Sequence, residues 1–295
     1  MSSLPNNQSS FSKTVKQLWG LMNPCTLCPR NCKVNRSKAE IGFCGISDMP
    51  VVSSVGPHFG EESVLVGSGG SGTIFFAGCN LGCIFCQNYD ISHHRNGRQV
   101  TIEQLAKSML ELQGHGCSNI NFVTPTHVTP AIAAAIEAAR KQGLTLPTVY
   151  NTGGYDSVET LKLLDGYVDI YLPDMKYSHA DVAKELSSAP DYPQVNQTAV
   201  RQMHRQVGDL IIENGLAKRG LLIRHLVLPN NLAGSTQIID FLADEISTQT
   251  AINVMDQYRP CYKAFEHNKI SRRPTPAEIE AVEKYALKKG LRLIN

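Results

Sequence analysis

"GTIFFAGCNLGCIFCQNYD", residues 72 to 90, is the stretch on which the reading of this chain turns. Gly72 to Gly78 is a continuous apolar and aromatic run bounded by glycine, the pattern of a buried strand. Directly after it, Cys79, Cys83 and Cys86 place three cysteines within eight residues. A closed tetrahedral metal site takes four protein ligands, so a tight trio either borrows a fourth or leaves one position of a metal centre open. At the background frequency of cysteine, chance produces this spacing in a chain of this length about 1% of the time. The trio is therefore read as chemistry rather than as core cysteines or half of a zinc site. Ligation by thiolates alone on one loop suits an iron-sulfur cluster, and three ligands on a four-iron cube leave one iron free to bind something else.

Outward from this stretch, short apolar runs alternate with helical patterns. "TIEQLAKSMLEL" sets Ile102, Leu105, Ala106, Met109 and Leu110 on one face, and Thr101 with Gln104 forms a capping box. "NINFV" reads as the next strand. In "TPAIAAAIEAARKQG" Thr129 is expected as N-cap, with Pro130 at the first helical position and Gly143 closing the end. The strands "PTVYN", "VDIYL", "LLIRHLVL" and "INVMDQY" follow, with helices expected near 157 to 164, 179 to 188, 194 to 216 and 234 to 247. A last helix, "TPAEIEAVEKYALKKG", repeats the Thr-Pro start and the glycine stop. Six strands each followed by a helix predict a parallel sheet. A complete eight-stranded barrel takes about 250 residues, so a partial (β/α)6 barrel fits better, and an open doubly wound sheet competes with it. In either architecture functional groups belong at the C-terminal ends of the strands, where the cysteine trio begins.

Charged residues make up 18% of the chain and the net charge is +2, too small to point to nucleic acid or a membrane surface. The N-terminus lacks a signal-peptide apolar region, and no run of about 18 apolar residues is present to span a bilayer. The expectation is a cytoplasmic protein whose nine cysteines are thiols or metal ligands rather than disulfides. Three regions are expected: residues 1–20, flexible or helical; residues 21–70, a cysteine-rich metal-binding module and linker with little helix or strand period; and residues 71–295, the main domain. The module holds Cys25, Cys28, Cys32 and Cys44, enough ligands for a closed site of zinc or a second iron-sulfur cluster.

The C-x3-C-x2-C loop after the first strand, with the aromatic Phe85 just before its third cysteine, resembles the cluster loop of the radical S-adenosylmethionine (radical SAM) superfamily. "CQNYD" is similar to the activating enzymes of glycyl-radical enzymes. "YNTGGYDSVETLKLLDGYVDIYLPDMKY", "RGLLIRHLVLPNNLAGS" and "CTLCPRNCKVNR" resemble the PflX-type branch, labelled pyruvate formate-lyase activating enzyme-like. The similarity runs from about residue 25 to the C-terminus. It implies a radical SAM core of the partial-barrel type with a 4Fe-4S cluster on Cys79, Cys83 and Cys86, whose unique iron is chelated by the amino and carboxylate groups of S-adenosylmethionine. The reduced cluster would cleave that cofactor to a 5′-deoxyadenosyl radical for hydrogen abstraction. A reduced flavodoxin or ferredoxin is the implied electron donor, and a protein the implied partner for glycyl-radical activation.

Carried over by residue, the resemblance makes Phe85 a backing for the adenine and Asn88 a support for the loop or the cofactor. Asp174 and Lys176, at the end of the fourth strand, fall near the ribose and sulfonium, and share a face because Met175 lies between them. Arg224 matches a partner for the methionine carboxylate, a task suited to its planar fork. Asn151 ends the third strand, where related enzymes carry Asp. The chain departs from many members after the second strand, where "VTPTHVTP" replaces a Gly-Gly-Glu-like stretch. Thr124, Thr126, His127 and backbone carbonyls are the candidates for the amino group. His225 reads as a core or lid residue, and His93 and His94 as a solvated loop. Of the lone thiols Cys117 and Cys261, the second is the better placed to face the site. Competing readings are radical SAM modification of a small molecule or a tRNA, a two-cluster electron carrier and, least compatible with the charge, a zinc-dependent nucleic-acid binder.

Overall fold

The structure, a computed structural model, describes residues 11–294; residues 1–10 of the expected N-terminal segment lie outside the described residues. The described part of that segment is helical at Lys13–Gly20, where the Ser12 hydroxyl accepts from Val15 N at 3.1 Å and caps the first turn.

Among the described residues ten strands follow: β1 (Val51–His58), β2 (Ser71–Phe76), β3 (Arg98–Gln99), β4 (Ile120–Val123), β5 (Thr148–Thr152), β6 (Ile170–Pro173), β7 (Ile211–Glu213), β8 (Leu216–Leu226), β9 (Ala251–Met255) and β10 (Arg292–Leu293). They form one sheet in the order β10-β9-β8-β6-β5-β4-β2-β1-β3, with β7 paired to β8. The six strands expected from the sequence are β2, β4, β5, β6, β8 and β9, and every neighbouring pair among them is parallel.

Burial separates the two architectures left open by periodicity. On β5, β6, β8 and β9, alternate residues enter different cores. Tyr150, Tyr171, Leu221, Ile223 and Ile252 pack with the helices Ile102–Gly114, Thr129–Lys141 and Tyr192–Val207, while Val149, Ile170, Leu172, Leu222 and Ala251 gather on one another around Leu65. A doubly wound sheet carries helices on both faces. Here the second face closes on its own side chains, as the inside of a partial barrel does, and fully buried Leu65 plugs it. That burial alone is worth about 2 kcal/mol.

Local signals set the helices. Gln104 N donates to Thr101 Oγ1 at 3.2 Å and Thr101 N to Gln104 Oε1 at 2.9 Å, closing the expected capping box. Thr275 and Glu278 build the same device on Pro276–Lys288. Three expectations need correction. Thr129 is the first helical residue rather than the N-cap: a 3-10 turn at Thr126–Val128 precedes it, and its hydroxyl turns inward to Thr126 O and Tyr150 Oη. The helix expected over 194 to 216 runs Tyr192–Val207 and gives way to the β7–β8 hairpin, whose turn residues Asn214 (φ 51°) and Gly215 (φ 80°) are both left-handed. Within 21–70, which shows little strand period in sequence, Val51–His58 is an eight-residue strand antiparallel to β2, so this part of the cysteine-rich region belongs to the sheet, with only the two-residue β3 beyond it.

Candidate functional site

The parallel strands all point their C-terminal ends at one cavity of about 220 Å³. Cys79, Cys83 and Cys86 line one side of it, on the loop that leaves β2. Thr124 beyond β4, Asn151 on β5, Asp174 and Lys176 beyond β6, and Arg224 on β8 line the rest, with Phe85 and Asn88 at the cysteine side. Cys79, Cys83, Cys86, Phe85, Asn88, Asn151, Asp174, Lys176 and Arg224 thus meet in one place, with Thr124 beside them. Asn151, Asp174 and Arg224 do so because each stands on the inner face one step above the apolar plug, following Val149, Leu172 and Leu222 at the two-residue period of a strand.

The cysteine loop is held by contacts that spare its sulfurs. His93 Nε2 donates to Cys83 O at 3.1 Å while its ring packs tilted against Tyr262 at 4.6 Å, so His93 braces this loop rather than standing in solvent. Asn80 Nδ2 donates to Tyr155 O at 2.7 Å, Ile84 N to Leu186 O at 2.9 Å and Lys263 N to Ile84 O at 3.0 Å. The sulfurs receive contacts from the loop and from one neighbouring serine: Leu81 N to Cys79 at 3.3 Å, the Ser187 hydroxyl to Cys83 at 3.0 Å, and Ser92 Oγ with Cys86 at 3.2 Å. Burial pushes the Cys79 thiol up to about 12, with Cys83 and Cys86 adding to the rise, and burial likewise raises Cys86. Such thiols become thiolates when a cationic centre arrives to bind them. Among the described residues no group of three or more His, Cys, Asp or Glu side chains is gathered tightly enough for one metal ion. Three thiols spread along a cavity wall suit a four-iron cube, which is wider than an ion, and the donor set is the all-thiolate one such a cube takes.

Opposite the thiols lies a buried ionic cluster. Lys176 Nζ donates to Asp174 Oδ2 at 2.6 Å and Arg224 Nε to Asp174 Oδ1 at 2.9 Å, while Arg224 Nη2 reaches Asn151 Oδ1 at 2.7 Å. Burial alone would raise Asp174, but Arg224 and then Lys176 outweigh it and hold the carboxyl below its usual range. Asp174 in turn holds Lys176 and Arg224 protonated against burial. Behind this cluster stand two acids with no sequence signal, because the strand before them was not legible. Glu61 Oε2 lies 3.8 Å from Arg224 Nη1 and 3.5 Å from Asn151 Nδ2, and Glu62 Oε1 accepts from Asn253 Nδ2 at 3.0 Å. Burial raises Glu61 despite Arg224 beside it.

Phe85 is buried edge-on against Tyr177 and Tyr258. Of the three residues of "VTPTH" considered for an amino group, only Thr124 faces the cavity, with a left-handed φ of 61° that is costly for a β-branched residue. Thr126 instead donates to buried Asp156 at 2.8 Å. His127 is buried, donates from Nε2 to Ala77 O at 2.8 Å, and is pushed down to about 3 by burial. His225 is a satisfied core residue between Met175 O and the Ser235 hydroxyl. Neither Cys117 nor Cys261 lines the cavity.

A family profile described as the Radical SAM superfamily matches residues 73–208, the span from β2 through the Tyr192–Val207 helix. Uncharacterized protein MJ0674 of Methanocaldococcus jannaschii is 36% identical over 277 residues, covering 92% of this chain and 76% of the relative. The chain belongs to the radical SAM superfamily. As a radical SAM protein it carries that family's chemistry, cleavage of S-adenosylmethionine at a 4Fe-4S cluster. Among solved structures, a radical SAM methyltransferase from Sphaerobacter thermophilus superposes with a TM-score of 0.51 at 15% identity, covering 75% of this chain and 65% of the other. The FeFe-hydrogenase maturase HydG from Carboxydothermus hydrogenoformans gives 0.51 at 12%, covering 73% and 50%. The chain thus spans less than two thirds of either solved chain, and both likenesses concern the fold of this radical SAM domain alone.

Proposed function

We propose that this chain is a radical SAM enzyme of the glycyl-radical activating kind, which removes a hydrogen atom from a glycine of a partner protein. The observation that supports its chemistry is the facing arrangement of three thiols and the Lys176–Asp174–Arg224 cluster across one cavity at the strand C-termini. Cys79, Cys83 and Cys86 would hold three corners of the 4Fe-4S cluster and leave the fourth iron to the amino and carboxylate groups of S-adenosylmethionine. When bound, these groups supply the one-electron cleavage of a sulfonium bond that yields a hydrogen-abstracting radical.

The protein's part is binding and orientation. Arg224 is already aimed by Asp174 and Asn151, and its Nη1, held only by a 3.8 Å ion pair with Glu61, is the donor that takes a carboxylate of the cofactor. Lys176 and Arg224 bring two positive charges toward a wall of thiolates, with Asp174 fixing both and accepting from the ribose hydroxyls. Phe85 backs the adenine, Asn88 and Asn151 offer amide groups at the rim, and Thr124 takes the amino group in place of the missing Gly-Gly-Glu stretch. Reduced flavodoxin or ferredoxin would supply the electron. For Cys25, Cys28, Cys32 and Cys44, which do not stand close enough together for one metal ion, we propose a second iron-sulfur cluster; burial pushes the Cys28 thiol up to about 12, so binding there releases protons. The glycyl target rests on the likeness of "CQNYD" to activating enzymes.

Anaerobic reconstitution with iron and sulfide, reduction, and assay for 5′-deoxyadenosine test the chemistry; a reduced, cluster-loaded protein that makes none would sink it. Glycine peptides deuterated at the α-carbon test the target, with deuterium expected in the 5′-deoxyadenosine. Turnover that never acquires that label counts against a glycine.

A further inference from the structure

Arg30 lies in the cysteine-rich segment between Cys28 and Cys32, yet its guanidinium donates its hydrogen bonds to segments outside it. Nε donates to Asn80 O at 2.7 Å and Nη2 to Leu81 O at 2.9 Å, both in the cluster loop. Nη2 also donates to Ser187 O at 2.9 Å, and Nη1 to Ser188 O. The last two carbonyls close the helix Ala180–Ser187, whose free C-terminal oxygens favour a cation. The Ser187 hydroxyl in turn donates to Cys83 Sγ, and Leu186 O accepts from Ile84 N. One side chain therefore ties both segments that hold Cys83. Its flat face rests on the Phe43 ring at 3.8 Å, and Phe43 immediately precedes Cys44. Phe43 also limits Gly82 of the loop, where an added Cβ would meet its ring at 3.1 Å.

We propose that Arg30 is the positioning residue of the cluster loop, through which the four-cysteine segment fixes where Cys79 and Cys83 sit over the cavity. Both halves of the device are spaced by that segment's cysteines: the guanidinium by Cys28 and Cys32, its aromatic platform by Cys44. Only arginine serves. Four carbonyl oxygens in two segments need a rigid planar fork of donors, and a lysine ammonium is a compact point that reaches one segment at a time. This inference rests on the reading that Cys79, Cys83 and Cys86 hold the cluster, but the clamp exists without it.

The test uses the full chain with Arg30→Lys and Arg30→Ala, and Phe43→Leu as a milder variant in case both arginine variants fail to fold. Hydrogen exchange on iron-free protein is expected to rise about tenfold for peptides spanning 79–86 and 186–189, and to stay unchanged in β4, β5 and β6. Phe43→Leu is expected to give a smaller rise at the same peptides. After reconstitution, the electron paramagnetic resonance signal of the reduced cluster is expected to broaden in Arg30→Lys and to lose its response to S-adenosylmethionine. Millimolar guanidinium is expected to restore part of both readouts in Arg30→Ala. Exchange and spectra identical to the parent in Arg30→Lys and Phe43→Leu would overturn the proposal. A parent protein that takes up no cluster at Cys79, Cys83 and Cys86 overturns the reading of the trio instead, while the exchange result still decides Arg30.

Discussion

Replacing Asp174 with alanine removes the one carboxylate that touches both Lys176 and Arg224. Their side chains are only 15% and 18% exposed, so the two cations are left facing each other with little water. Breaking a buried pair by deleting one partner costs about 3–5 kcal/mol. Arg224 keeps its hydrogen bond to Asn151 at 2.7 Å and gains from Glu61 at 3.8 Å, which places the expected loss near the low end, about 3 kcal/mol. At about 2–4 °C per kcal/mol for a domain of this size, the melting temperature should fall by about 6–12 °C. Far-UV circular dichroism of the metal-free protein reads this directly, and a cycle with Arg224→Met isolates the pair: the double variant should lose less than the two single losses added together. The sign of the pH dependence follows from the cluster. Burial alone would raise the carboxyl, but Arg224 and Lys176 hold it below its unfolded value of about 3.9. Its contribution is therefore complete above about pH 4 and is lost as the pH falls through the depressed folded value. The gap between parent and Asp174→Ala should be level from pH 5 to 8 and shrink only below about 4. A variant that melts with the parent, or a strictly additive cycle, refutes the argument that these three side chains act as one charged unit.

Cys83→Ala should abolish iron-sulfur absorbance at the cavity after anaerobic reconstitution, whereas Cys117→Ala should leave it, as measured by iron and sulfide per chain. Cys25→Ala should lower total metal and keep that absorbance. Buried His127 is pushed down to about 3, so the unfolded chain takes up its proton first as the pH drops. Parent stability should fall by up to about 1.4 kcal/mol per unit from about pH 6.5 downward, and His127→Asn should flatten that limb in denaturant titrations. Thr124→Gly relieves a left-handed β-branched residue worth about 1–2 kcal/mol and adds about 0.5–1 kcal/mol of chain entropy, so stability should hold or rise slightly while affinity for S-adenosylmethionine falls. A loss above about 1 kcal/mol by urea unfolding would contradict the strain. Gly215→Ala in the left-handed β7–β8 turn should cost about 1 kcal/mol by the same measurement and leave cofactor binding intact.

What could be read from the residues and what could not divides along the range of the forces involved. The six parallel strands were legible because their largely buried residues appear as short runs rich in apolar and aromatic side chains, unbroken and bounded by glycine at Gly72–Gly78. The helices were legible through their own caps, as at Thr101 and Thr275, which are local hydrogen bonds written within four residues. β1 was missed because a strand paired fully on one side only needs no such run: in "VVSSVGPH" only Val52 is buried, and Pro57 is tolerated because β3 pairs only Val51 and Val52 and leaves the rest of that side free. The β7–β8 hairpin did carry a signal, the Asn214-Gly215 turn, which was outweighed by the helical look of the preceding "QMHRQV". The first of these misses hid partners of the site. With β1 unread, nothing marked Glu61 and Glu62 as entering the barrel, where they meet Arg224, Asn151 and Asn253 from strands far along the chain. Arg30 is the extreme case, since its bonds span 50 to 158 residues and no local pattern encodes them. A side chain's type and spacing announce ligands such as the cysteine trio, because chemistry restricts which residues will serve. The groups that orient those ligands are chosen by distance in the fold, and a lone arginine or a pair of glutamates becomes legible only once the strands around it are in place.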